Sequence, residues 1–124
     1  MKWCDRSLVT SPVAYRLCKS EKEFRKTLRA IGHPKEDHIE WMGDRVGAIT
    51  HFFDGDEGSP NIAIVSIDAK KERSDVLTHT YLCHEGVHIW QAVRETLGEF
   101  SSIEFEAYAI QSITQNLIEA YHAG

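Results

Sequence analysis

The stretch from Ser74 to Leu97 holds no proline and a single glycine, Gly86, and it constrains the fold more than any other segment of the chain. Ser74 is a good N-cap residue and Gly98 a good helix stop, so the spacing predicts one long helix between them. Leu82, Ile89, Val93 and Leu97 mark one side of it. Leu77, Tyr81, His84, His88, Gln91 and Glu95 mark nearly the opposite side. A helix patterned in this way must bury its apolar side against something. A second helix is the first candidate: Gly98 breaks the pattern, Ser101 or Ser102 can cap a new start, and Ile103 to Tyr121 carries apolar residues at Ile103, Ala107, Ile110, Ile113 and Leu117. The short connection makes the two helices antiparallel neighbours.

The polar side of the first helix carries the chemistry. His84-Glu85-Gly86-Val87-His88 places two imidazoles four residues apart, hence on one face and about a turn from each other. Two ring nitrogens so placed can grip one metal ion, and Glu85 beside them can serve as general base toward a metal-activated water. The competing reading is a solvated face with no metal. A catalytic zinc takes three protein ligands and keeps one position open. Glu104 and Glu106, in the first turn of the second helix, are the carboxylates available, and they project about 160° apart, so one at most is expected to bind. Ser101-Ser102-Ile103-Glu104 also reads as a capping box. Glu106 lies nearer the apolar stripe and could alternatively accept the N–H of a ligand histidine.

With these residues in view, the chain resembles the gluzincins, zinc peptidases with HExxH and a glutamate ligand on the next helix. Glu104-Phe105-Glu106-Ala107-Tyr108 is similar to the E-F-x-A-D segment of the prenyl-protease type, whose first glutamate binds zinc; that resemblance implies Glu104 as the third ligand beside His84 and His88. Tyr108 stands where that pattern has Asp, and its hydroxyl is a candidate for polarising a substrate carbonyl. The chain as a whole also resembles small phage- and prophage-encoded zincin-like proteins, in the order hairpin, HExxH-x-x-Q ending at Gln91, Gly98-Glu99, then Glu104 to Gln111. The resemblance implies a zinc-dependent peptidase acting on a peptide or protein, with Glu85 as base and Tyr108 assisting. A non-catalytic binding module of the same fold, with zinc as a structural staple, is the alternative.

Composition narrows the partners. At 124 residues with 42% hydrophobic content, one domain over residues 1–124 with a single core is expected. The balance of 14 basic to 19 acidic residues, without a basic run, argues against phosphate-led nucleic-acid binding. No apolar stretch nears the roughly 20 residues that span a bilayer, and Met1 to Arg6 lacks a signal-peptide apolar core. Cys4, Cys18 and Cys83 form no C-x-x-C pair, which agrees with a reducing, cytoplasmic setting. Cys83 reads as a packing thiol, because neighbouring helix residues point about 100° apart and it cannot share the side of His84.

The first half reads as scaffold. Leu8-Val9-Thr10 is a short strand before Pro12, and Ser20 to Glu23 is a capping box opening a helix through Phe24, Leu28 and Ile31. Gly47 to Phe53 and Asn61 to Ile67 are strands, joined by the turn-rich Asp54 to Pro60. Asp54-x-Asp56 lacks the later ligands of a calcium loop. His51 is a strand residue, and Trp3, Trp41 and Trp90 belong to the core or its margin. His33, His38, His79 and His122 read as surface residues. The expected architecture is α+β: a small, mainly antiparallel sheet packed on a zinc-binding helix pair, with Asn61 to Ile67 either the edge strand that the zincin resemblance implies for an extended peptide or, by its apolar run, a central buried strand.

Overall fold

Strand β1 (Val13–Cys18), helix α1 (Glu21–Ala30), strands β2 (Ala48–Phe53) and β3 (Asn61–Ile67), and helices α2 (Asp75–Leu97) and α3 (Ile103–His122) follow one another along the chain. The structure, a computed structural model, describes residues 12–33, 39–43, 47–55, 58–98 and 103–123. The expectations for Trp3, Cys4, Leu8 to Thr10, His38, Asp56, Ser101 and Ser102 lie outside the described residues.

Local chemistry sets the helix ends. The Ser20 hydroxyl accepts from the Glu23 backbone N–H at 3.2 Å, while the Glu23 carboxylate accepts from Lys19 N–H at 3.1 Å, a capping box displaced by one residue. Ser74 caps α2 in the same way, its side chain accepting from Leu77 N–H at 3.1 Å. Gly98 ends α2 at φ 88°, a left-handed backbone that favours glycine.

The three strands form one sheet in the order β1-β3-β2. β3 runs parallel to β1 and antiparallel to β2. The α+β class is therefore as expected, but the sheet is mixed rather than mainly antiparallel. β3 is central, not an edge; its run Ile62-Ala63-Ile64-Val65 is apolar because helices cover both faces. Val13, Tyr15, Leu17, Ala63, Val65 and Ile67 face α2 and α3, whereas Cys18, Ile64, Phe24 and Leu28 form a second core under α1. β1 carried no clean alternation in the sequence for the same reason.

α2 and α3 pack antiparallel, as Gly86 against Thr114 and Arg94 against Glu106 show. Gly86 permits the close crossing: a Cβ there would stand 3.0 Å from Thr114 Oγ1 and 3.5 Å from Ile113 Cγ2. Leu82, Ile89 and Val93 are buried as read from the pattern, while Leu97 is exposed. The stripe on α3 differs from the expectation. Ala109, Ile113 and Leu117 are buried, whereas Ile103, at 84%, and Ala107 are exposed. Among the described residues, no helix is long and apolar enough to cross a membrane.

Candidate metal and hydrolytic site

The rigid middle of α2 carries His84, Glu85 and His88 into a cleft of about 720 Å³ between this helix and β2. Gly47, Ala48, Thr50 and Phe52 form its strand wall, with Tyr81 and Thr80 beside the histidines. The Tyr81 ring closes against Gly47, where a Cβ would come within 3.1 Å of it, so glycine at 47 lets the aromatic wall lie flat on the strand's start. Among the described residues β2 pairs only with β3, which leaves its other edge open beside the cleft.

The two histidines converge. Their Nε2 atoms lie 3.2 Å apart, with ring centroids at 4.9 Å and planes at 77°. Two Zn–N bonds of about 2.0–2.1 Å at a tetrahedral angle span about 3.3 Å between nitrogens, so the pair is spaced as ligands of one ion would be. His88 Nδ1 stands 3.0 Å from Gln91 Oε1. With that oxygen accepting, Nδ1 carries the proton and Nε2 keeps its lone pair for a metal. The tautomer follows from this hydrogen-bond assignment.

Glu85 is held differently. It is only 5% exposed, on the side of α2 that faces the sheet. The Thr50 hydroxyl donates to its Oε1 at 2.9 Å, and its Oε2 lies 3.9 Å from His84 Nε2. A buried carboxylate with one oxygen fixed by a strand residue and the other directed at the histidines is arranged to accept a proton in the cleft.

Thr50 and Tyr81 are the residues that sequence reasoning missed in a functional role. Period-two alternation along β2 offered a signal for the first: Thr50 and Phe52 share the face toward α2, while His51 and Phe53 turn toward α1. Behind the site, burial lowers His51 from its usual range, partly opposed by a hydrogen bond with the Glu40 backbone. Its ring lies 5.0 Å from that of Phe24. Cys18, under α1, has its thiol pushed up by burial, with Thr27 Oγ1 at 3.5 Å.

The carboxylates of α3 are not gathered with the histidines. The Arg94–Glu106 contact, at 3.9 Å, marks the helix register and places Glu104 across from the neighbourhood of Thr96. At about 1.5 Å per residue that is roughly 12 Å along α2 from His88. Glu104 is exposed, and Tyr108 is 63% exposed and does not line the cleft. No group of three His, Cys, Asp or Glu able to hold a metal occurs among the described residues. The donor set thus fits a metal through His84 and His88, with Glu85 beside it, and leaves the third ligand of the expected trio apart. The chain matches no protein-family model, no curated protein and no solved structure.

Proposed function

We propose that this chain is a zinc-dependent hydrolase, a peptidase that uses Glu85 as general base. The observation that carries the reading is the convergence of the His84 and His88 Nε2 atoms at 3.2 Å beside a buried, Thr50-held Glu85 at the base of a cleft. A surface pair of histidines has no need of a buried carboxylate next to it, and burying one is costly unless it is used or compensated.

His84 and His88 would hold the metal; the gluzincin resemblance implies Glu104 as a third ligand, but that carboxylate stands apart from the pair here. When bound, zinc supplies Lewis acidity, lowering the pKa of a water from about 15.7 toward about 7 and polarising a carbonyl. Glu85 takes the proton from the attacking water and returns it to the leaving amine. Thr50 keeps the Glu85 carboxylate from rotating, so its second oxygen stays toward the histidines. Gln91 holds the His88 ring in the tautomer with Nε2 free. The open edge of β2 offers backbone N–H and C=O groups to an extended peptide, and Phe52, 48% exposed on the cleft wall, gives an apolar contact for one of its side chains. This assigns to β2 the substrate-pairing role that the sequence alone had suggested for β3.

Digestion of a peptide library by the zinc-loaded protein and by Glu85→Gln tests the reading. Loss of cleavage by about 10²- to 10⁴-fold with the fold and zinc content retained is expected. Cleavage unchanged in the variant, or none by a wild-type protein shown to carry zinc, refutes it; the second result would favour a binding module.

A further inference from the structure

The molecule holds a second pair of converging imidazoles, remote from the cleft. His79, in the second turn of α2, and His122, in the last turn of α3, bring their Nε2 atoms to 2.8 Å across the helix interface. Their ring centroids lie 5.1 Å apart at 86°, nearly the T-shaped arrangement of His84 and His88. His84 follows His79 by five positions, which turns the two side chains about 140° apart around α2. One ion cannot serve both pairs.

We propose that His79 and His122 form a second binding site for a divalent transition metal such as zinc, one that staples the end of α3 to the start of α2. Imidazole nitrogens suit zinc, copper and nickel, and this pair is partly open to solvent, so an ion can enter and complete its shell with water. An Nε2-to-Nε2 hydrogen bond requires one ring to carry its proton on Nε2 and the other on Nδ1. Coordination requires only a tautomer change in one ring and a separation wider by about half an ångström. The partner helix is held in place independently. Lys19 Nζ donates to the carbonyls of Tyr121 and Ala123 at 3.2 and 3.0 Å, and the Tyr121 ring packs 5.2 Å from that of His122. His122 is therefore presented from an anchored helix end rather than a loose one. The C-terminal end of a helix also favours positive charge, which helps offset the Lys19 ammonium nearby.

The site does not depend on the hydrolase reading, and the test separates the two. Zinc chloride is titrated into a His84→Ala/His88→Ala protein by calorimetry, with thermal melts in parallel. Both replaced histidines are exposed on α2, so the core is untouched. One equivalent of zinc should still bind, and the melting temperature should rise with zinc concentration, as mass action requires for a ligand of the folded state. Adding either His79→Ala or His122→Ala should remove both effects. In the otherwise wild-type protein, His122→Ala should lower the zinc count by one and leave the His84–His88 ion in place. No zinc bound by the His84→Ala/His88→Ala protein, or binding that survives replacement of His79 or His122, overturns the proposal.

Discussion

Replacing Thr50 with valine tests whether the strand holds the general base. Valine keeps the size and β-branching of threonine and leaves the β2–β3 pairing of residue 50 with Val65 intact. Only the 2.9 Å hydrogen bond to Glu85 Oε1 is lost. Hydrogen bonds to charged groups contribute about 1.5–3 kcal/mol, and leaving one partner buried and unsatisfied is the costly case. The Glu85 side chain is 7% exposed, so solvent compensates little, although water in the cleft favours the lower half of that range. For a chain of this size such a loss lowers the melting temperature by roughly 5–10 °C. Urea denaturation of wild type, Thr50→Val, Glu85→Leu and the double variant forms a cycle that isolates the pair. Thr50→Val should cost about 1.5–2 kcal/mol while Glu85 is present, and far less in the Glu85→Leu background, where the acceptor is gone. Thr50→Ser should recover most of the loss. An equal cost in both backgrounds would refute the claim that this hydrogen bond positions the base.

Zinc content measured by elemental analysis should fall sharply in His84→Ala and in His88→Ala, since each removes one of the converging nitrogens; normal content at the cleft site in both would end the metal reading. With Glu104 apart from the histidines, Glu104→Gln should keep the cleft zinc as well as Glu106→Gln does; selective zinc loss in Glu104→Gln would show that this carboxylate reaches the ion, as the gluzincin resemblance implies. Gly86→Ala should stabilise α2 by about 1 kcal/mol in a Thr114→Ala background, through helix propensity, and give less or none of that gain against Thr114, whose Oγ1 stands 3.0 Å from the new Cβ; calorimetric melts of the four proteins decide it. His51 has its pKa lowered by burial, so the unfolded chain binds its proton first: its contribution is complete above about pH 6.5 and is lost as pH falls from there through the lower folded value. Phe24, the Glu40 backbone and Arg25 surround that ring, and a His51→Leu protein should show a smaller loss of stability than wild type between about pH 7 and 5.

Local signals carried the helices and most of the strands. Ser20 and Ser74 cap the helices they announced, Gly98 stops α2, and Asn61–Ile67 is a strand over the span read from its β-branched run. These outcomes were legible because caps, stops and periodicity depend on residues a few positions apart. The convergence of His84 and His88 is of the same kind: helix geometry alone sets residues i and i+4 side by side. Tertiary structure decided everything that joins distant segments. Among the described residues it set β3 in the centre of the sheet and β2 at an edge, since an apolar run looks the same in a buried central strand and in an edge strand awaiting a partner. It brought Thr50 to Glu85 across 35 positions of sequence, and His79 to His122 across 43. It also kept Glu104 from the histidines. A short turn predicts that two helices run antiparallel, but their register is fixed by side-chain packing, here by Gly86 receiving Thr114, and that register is written in no local pattern of either helix.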